Sequence, residues 1–330
     1  VYAVSHQENN VTKLMNSVLK AGGSVSVAKE AFTANNVSYP VGTVLFAPGG
    51  SLGSLAASYH IKLQALPQAP SVPTAKVKNV RVALYKPWMA SMDEGWTRWL
   101  LEQYDFNLKN VDNKTIQAGK LGDSFDVVIF PSMDKNVIIE GKPRSDSGPP
   151  RYFEELPPEY AGGITRDGVK ALKEFVANGG TIITMGSSGD LLSDEFNIPV
   201  RNALSGSGRG GDFSVPGSLL RMKFDTMHPV NYGMPAEAAA FLDEGIAYQT
   251  SAPTPDVQRA ILAWYPTDEE DILLSGYIQG ADRLARRASA VSITQGKGRL
   301  VLLGFGVQNR AQTEGTFKVL FNAIHWAGME

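Results

Sequence analysis

Residues 80–106, VRVALYKPWMASMDEGWTRWLLEQYDF, constrain this chain more than any other stretch. The run opens with five apolar-rich positions, Val80 to Leu84, of the kind that forms a strand buried on both faces. After a turn, Ser91 and Glu94 stand at the spacing of a capping box, with Ser91 at the N-cap. The helix that follows places Trp96, Trp99, Leu100, Gln103 and Tyr104 at i, i+3, i+4, i+7 and i+8, one amphipathic face. Strand, loop and helix make the first half of a βαβ unit. Its loop lies at the carboxyl end of the strand, where open α/β sheets place ligands.

The rest of the chain extends this unit. Residues 1–66 read as a small α/β unit, with strands near 1–4, 24–28, 43–47 and 61–66 and helices carrying Val11, Leu14, Met15, Val18 and then residues 52–59. It begins without a preamble, so the chain is expected to start within a longer protein. Residues 67–79 are a linker, three prolines standing in the ten residues from Pro67 to Lys76. Residues 80–330 form the main domain. Strands are expected at 106–111, 126–130 and 181–185, and a helix from Thr165 that stops at Asn178-Gly179-Gly180. This β-α-β-β-α-β succession predicts a doubly wound, mostly parallel sheet. The proline- and glycine-rich excursion at 140–163 reads as a functional or disordered loop. Later strands at 219–224, 260–264, 272–277, 288–293 and 299–304 are closely spaced and predict antiparallel additions, with a hairpin turn at Gln295-Gly296-Lys297-Gly298 and a final helix at 316–326.

Composition excludes several classes of function. With 330 residues and a net charge of −2, no basic stripe invites nucleic acid or an anionic membrane. No apolar run is long enough to span a bilayer. The absence of cysteine removes disulfides, thiolate metal sites and a thiol nucleophile. His6, His60, His228 and His325 are scattered, and none has the i+3 or i+4 partner of a helical zinc pair. No metal site is expected.

Four groups of residues carry the functional readings. Gly206, Gly208 and Gly211 spell GxGxxG, but no strand precedes them and no helix follows, which favours a surface loop. Met185-Gly186-Ser187-Ser188-Gly189-Asp190 follows the fourth strand, where hydrolytic α/β folds carry a nucleophile. Ser187 or Ser188 would be that nucleophile, with His228 as base and Glu94 or Asp190 orienting it; the other reading is a serine cap on the next helix. Asp93 and Glu94 suit the positive end of their helix better than paired acid–base work, since neighbouring helix positions do not face each other. Trp96 and Trp99 are read as core and Trp88 as a contact residue. A cleft built from Trp88, Asp93, Glu94, Ser187, Asn309 and Arg310 would bind a small ligand, Arg310 reaching a carboxylate.

Three segments carry a family resemblance: ALYKPWMASMDEGWTRWLLEQYDF, PGSLLRMKFDTMHPVNYGMP and GKGRLVLLGFGVQNRAQTEGTFKVLFNAI. Together they resemble the C-terminal region of bacterial secreted zinc carboxypeptidase-like proteins, of the carboxypeptidase A-like metallopeptidase family. That region is similar to the class I glutamine amidotransferase-like, flavodoxin-like fold. The resemblance implies secretion or periplasmic export, an upstream peptidase domain as partner, and zinc in that domain with no cofactor in this chain. The HxxE motif with its distant histidine, and the amidotransferase cysteine, have no counterpart here, so no catalytic residue carries over. The expectation is a non-catalytic accessory module that binds a peptide or glycan; the alternative is a degenerate serine hydrolase using Ser187 or Ser188.

Overall fold

A computed structural model describes residues 1–142, 157, 160–205, 212–244 and 246–330. Gly206, Gly208 and Gly211, and most of the 140–163 excursion, lie outside the described residues.

Five parallel strands form one side of the main sheet, out to its edge. Their spatial order is Asn107–Val111, Arg81–Tyr85, Val127–Phe130, Thr181–Met185 and Gly298–Leu303. Numbered along the chain, that order is 2-1-3-4-5, the flavodoxin-like arrangement. The doubly wound sheet expected from the sequence is therefore present. Ala288–Gln295, Val257–Trp264, Ser218–Phe224 and Glu237–Leu242 continue it as antiparallel strands. The hairpin joining Ala288–Gln295 to Gly298–Leu303 pairs Gln295 with Gly298 across Gly296-Lys297. Gly296, at φ +59°, supplies the left-handed first position that this two-residue turn requires.

Side-chain alternation builds two cores. Val82, Leu84, Ile129, Ile183, Val301 and Leu303 face one layer, with Leu100 and Leu101 of helix Met92–Gln103 and Phe317, Leu320, Phe321 and Ile324 of helix Phe317–Ala327. Ala83, Tyr85, Val128, Ile182, Leu300 and Leu302 face the other, against Val169, Leu172, Phe175 and Val176 of helix Thr165–Ala177. A strand with both faces buried needs apolar residues at nearly every position, which is the pattern of VVIF and TIITM.

Two expectations need correction. In helix Met92–Gln103 the buried residues are Glu94, Thr97, Leu100 and Leu101, while Trp96 and Trp99 are 36% and 47% exposed and meet edge to face. The helix is rotated from the aromatic stripe: it buries Leu100 and Leu101 in the core, and Thr97 receives a hydrogen bond from the buried Gln308 amide at 3.1 Å. Thr74–Val77, assigned to the linker, is a strand that pairs antiparallel with Val25–Ala28 of the N-terminal sheet. The sequence pattern also missed the strand Glu237–Leu242, whose three alanines carry no β signal.

The N-terminal unit is held to the main domain by buried polar contacts. Asn16 of helix Asn10–Lys20 donates to the Tyr104 carbonyl at 2.8 Å, and its Oδ1 lies 2.9 Å from His325 Nε2. Lys318 donates to Asn9 Oδ1 at 3.3 Å; within the N-terminal unit, His6 Nδ1 lies 2.9 Å from the Gly42 carbonyl. Burial lowers His6 to a pKa of about 4 and His325 to about 3, so both are neutral in the folded protein at pH 5 and above. The unfolded chain, with histidine near 6.5, takes up protons first as the pH falls. Stability present above pH 6.5 is therefore lost on acidification. His325→Gln keeps a donor toward Asn16 and removes the titration. The stability advantage of the wild type over this variant should shrink by about 2 kcal/mol between pH 7.5 and pH 5. Urea midpoints at the two pH values check this, and an unchanged difference would show that His325 does not lose a proton on folding.

Candidate functional site

The strand Thr181–Met185 is buried throughout and turns sharply at Gly186, whose φ is +52°. The chain then passes through Ser187 and Ser188 into helix Gly189–Glu195. Sharp turns of this kind, between a strand and a helix, carry the nucleophile in α/β hydrolytic folds. Here the left-handed residue is glycine. A Cβ at Gly186 would lie 2.3 Å from Ser132 Oγ and 2.7 Å from Glu244 Oε2, so the space a nucleophilic side chain would enter is occupied.

The two serines differ in what they can do. Ser188 is fully buried: its hydroxyl accepts the Met185 N–H at 3.0 Å and is shared between the carbonyls of Phe130 (3.0 Å) and Met185 (2.8 Å). This ties the turn to the neighbouring strand and leaves no free hydroxyl. Ser187 donates its backbone N–H to Glu244 Oε2 at 2.8 Å and to Ser132 Oγ at 3.2 Å, and its own Oγ lies 3.1 Å from Ser132 Oγ. The Ser132 hydroxyl in turn sits 2.8 and 2.9 Å from the two Glu244 oxygens. In a nucleophile elbow the N–H after the nucleophile helps to form the oxyanion hole. At this elbow that N–H already holds a carboxylate.

His228 stands elsewhere. Its Nδ1 accepts the Val230 N–H at 3.2 Å, its Nε2 lies 3.3 Å from Ser292 Oγ, and its ring meets Trp326 edge-on at 4.9 Å. Trp326 stacks under Arg299, at the amino end of Gly298–Leu303, whereas the elbow follows the carboxyl end of the adjacent strand. A strand length of roughly 13 Å separates the two ends. The proposed Ser–His triad is therefore not assembled. Burial lowers His228 to a pKa of about 4, as expected for a neutral structural ring.

A small cleft opens at the carboxyl ends of the parallel strands, enclosing about 40 Å³, room for a few waters or one functional group. Asp93 follows the first strand, Ser132 the third and Gly186 the fourth; Gly304 to Asn309 follow the fifth, and Asp243 and Glu244 follow Glu237–Leu242. Asp93 reaches the cleft from the first turn of its helix, where Ser91 caps the Glu94 N–H at 3.2 Å. Burial, reinforced by Glu244 and Asp243, raises Asp93 to a pKa of about 6. Burial also raises Glu244, against the hydrogen bond from Ser132.

Of the residues singled out in the sequence, Asp93 and Asn309 line this cleft, and Ser187 reaches it through Ser132 and Glu244. Glu94 does not: it is buried and accepts from Arg98 Nε at 3.2 Å and Asn110 Nδ2 at 2.5 Å. Trp88 packs edge-on against Tyr160 at 5.0 Å, outside the lining. Arg310 is exposed beside the cleft, with φ +49°, and draws the carboxyls of Asp93 and Asp243 down. Asp190 lies behind the elbow, raised to about 6 by burial and Asp194. Ser132, Asp243, Glu244 and Gln308 escaped the sequence reading. The serine in FPSM, directly after a strand, was a usable signal; the acids gave none once the alanine strand was missed. Among the described residues no cluster of His, Cys, Asp or Glu side chains is disposed to hold a metal ion, and no helix is long and apolar enough to cross a membrane.

No family model matches this chain, and no curated protein matches it in sequence. Solved structures do. PurLQS from Thermotoga maritima is similar at TM-score 0.46 and 11% identity over 75% of this chain and 98% of that one. A ThuA-like protein from Parabacteroides merdae is similar at 0.45 and 14%, over 76% and 90%. A glutamine amidotransferase from Thermotoga maritima is similar at 0.44 and 11%, over 76% and 98%. Glutamine amidotransferase-like and ThuA-like proteins are both among the structural neighbours. At these identities the likeness is one of fold and says nothing of activity.

The hydroxyl of Ser188 should matter for stability and that of Ser187 should not. Ser188→Ala strips two buried strand ends of a partner and is expected to cost about 1–3 kcal/mol, whereas Ser187→Ala, half-exposed, stays below about 1 kcal/mol. Urea denaturation of both variants checks this; equal effects would contradict the buried knot at Ser188.

Proposed function

We propose that this chain is a non-catalytic binding module, the accessory C-terminal part of a secreted zinc carboxypeptidase-like protein, and that its ligand occupies the cleft at the carboxyl edge of the sheet. One observation carries the non-catalytic reading. The strained position of the elbow is Gly186, and Ser132 and Glu244 fill the space in front of it. Glu244 takes the Ser187 N–H that an oxyanion would need, and a carboxylate there repels a developing negative charge. The amidotransferase reaction needs a cysteine, and the chain has none. The serine hydrolase alternative lacks a base, since His228 is bound to Val230 and Ser292.

The parent protein rests on the resemblance of the three segments quoted above. In this reading the peptidase domain lies upstream of Val1 and holds the zinc. The accessory module positions a peptide or glycan for it on the secreted or periplasmic side.

The test is treatment of the purified chain with a fluorophosphonate probe, read by intact mass, together with glutamine and peptide hydrolysis assays. No adduct and no turnover are expected. An adduct mapped to Ser187 or Ser188, or turnover lost in Ser187→Ala, would overturn the non-catalytic reading. The coding sequence upstream of Val1 tests the parent: an HxxE motif with a distant histidine is expected, and a different domain there would overturn it.

A further inference from the structure

A polar seam runs between the N-terminal unit and the main domain. The unit has its own core, in which Val11, Leu14, Met15, Val25, Val27 and Phe46 pack together, apart from the two cores of the main sheet. Among the described residues its five-stranded sheet pairs with no strand of the main sheet. The chain leaves the unit at residues 78–80, between Thr74–Val77 and Arg81–Tyr85. Its C-terminal end returns there, Lys76 and Glu330 exchanging two backbone hydrogen bonds at 3.1 Å. The two crossings adjoin: a Cβ on Gly328 would stand 2.6 Å from Val80 Cγ2. Short connections gathered at one end of a seam are the geometry of a hinge.

Two helices meet across the seam. Helix Asn10–Lys20 and its cap bring Asn9, Thr12 and Asn16, and helix Phe317–Ala327 brings Lys318, Asn322 and His325, each set at the spacing of one helical face. Asn9 donates to the Glu314 carbonyl at 2.9 Å and accepts from Lys318, and Asn16 joins Tyr104 to His325. On the rim, Ser17 donates to Asp105 at 2.9 Å, and Lys20 pairs with the same carboxylate at 3.6 Å. Tyr232 of the main domain packs into the core of the unit and closes the seam on its apolar side.

Two histidines are built into this seam as neutral rings. His6 Nδ1 faces the Gly42 carbonyl, which can only accept, so the ring proton sits on Nδ1. His325 Nε2 faces Asn16 Oδ1, the Asn16 amide nitrogen being used on Tyr104, so its proton sits on Nε2. The other nitrogens, His6 Nε2 and His325 Nδ1, are buried without a partner. A second proton on either would place a charge away from water. The ionisable groups around the rings do not compensate it. Lys318 faces His6, and His6 faces His325; Tyr232 stands against Gly42, the partner of His6. Glu8 acts on Lys318, and Asp105 is engaged by Lys20. Among the described residues none of His6, Lys318 and His325 takes part in an ion pair. Burial and Lys318 outweigh the pull of Gly42 and Asn322 toward a charged His6, and burial with His6 acts likewise on His325.

We propose that the seam is a proton-operated latch: acidification swings the N-terminal unit away about residues 78–80 while the main domain stays folded. Closed, the seam requires two neutral rings; open, each ring takes up a proton with the ordinary histidine affinity, near pH 6.5. The closed form keeps its full advantage above pH 6.5 and loses it as the pH falls toward 4, the value to which burial lowers His6. Between pH 7.5 and pH 5 each ring shifts the balance toward the open form roughly thirtyfold, and the pair about a thousandfold. Lys318, lowered by burial to about 8, is largely charged across that range and adds repulsion without adding pH dependence. Global unfolding is linked to the same rings; the latch differs in leaving the parallel strands folded. Opening bares the basic face of Lys318, Asn322 and His325, and it is independent of what the cleft binds.

The chain has no cysteine, so single introduced thiols report opening. Thr12→Cys puts one on the seam face of its helix and Val128→Cys one in the central sheet, both at fully buried positions. Each full-length variant is labelled with 4,4′-dithiodipyridine between pH 7.5 and pH 5, and its rate is divided by that of the same chain in concentrated guanidinium chloride. The corrected rate at Thr12→Cys is expected to rise about a thousandfold on acidification and to exceed that at Val128→Cys at every pH. With either His6→Gln or His325→Gln the rise falls to about thirtyfold, and with both it disappears. Equal rates at the two thiols, a rate at Thr12→Cys that ignores pH, or a rise that survives both substitutions would overturn the latch. Deuterium exchange at the imidazole C2 positions of the unaltered chain, read by mass, keeps the test decisive if a histidine variant does not fold. His6 and His325 should exchange far more slowly than the exposed His60 at pH 7.5 and gain on it by pH 5. Rings that match His60 at pH 7.5, or gain nothing on it by pH 5, would equally overturn the proposal.

Discussion

Both faces of the four inner parallel strands are buried, and most of the molecule follows from that constraint. Residues at alternate positions must feed opposite cores, so helices have to cover each face, Met92–Gln103 and Phe317–Ala327 on one and Thr165–Ala177 on the other. Parallel strands in turn bring all their carboxyl ends to one edge. The loops that leave that edge carry polar groups beside core residues such as Phe305 and Val307. The cleft, with Asp93, Ser132, Gly186 and Asn309, is assembled from those loops.

At that edge the elbow has the strand–turn–helix shape of a nucleophile elbow, with glycine at its left-handed position. The turn is held by the buried Ser188 hydroxyl, a contact that involves only backbone partners. The residue with the strained backbone has no side chain, and Glu244 sits where negative charge would develop in a reaction. Ser132 and Glu244 satisfy each other and the Ser187 N–H. The contacts of Asn9 and Asn16 fix the N-terminal unit onto the same framework.

The comparison between sequence and structure is most instructive in helix Met92–Gln103. Its start was legible, because Ser91 caps the Glu94 N–H through local chemistry alone. Its buried face was not. Two tryptophans at i and i+3 suggested a core stripe, yet Thr97 and Leu101 face inward and the indoles face out. The partners lie far along the chain: Leu100 and Leu101 join the core of the final helix, and the Gln308 amide, 211 residues away, binds Thr97. Hydrophobic spacing measures what a helix could bury, and its partner decides what it does bury. The Glu94 carboxylate likewise turned from its capping role toward Arg98 and Asn110.

The sequence by itself determined the local elements: the strands 127–130 and 181–185, the helix from Thr165, the hairpin at Gly296, and the absence of thiol chemistry. These depend on periodicity, turn residues and composition, all of which act within a few positions. Tertiary structure decided the site. Ser187 and Ser132 are 55 residues apart, and Ser132 and Glu244 are 112 apart. It also parted His228 from the elbow and joined Thr74–Val77 to the N-terminal sheet. Contacts over such separations are set by which strands pair and which loops share an edge, and no local pattern in the chain encodes that choice.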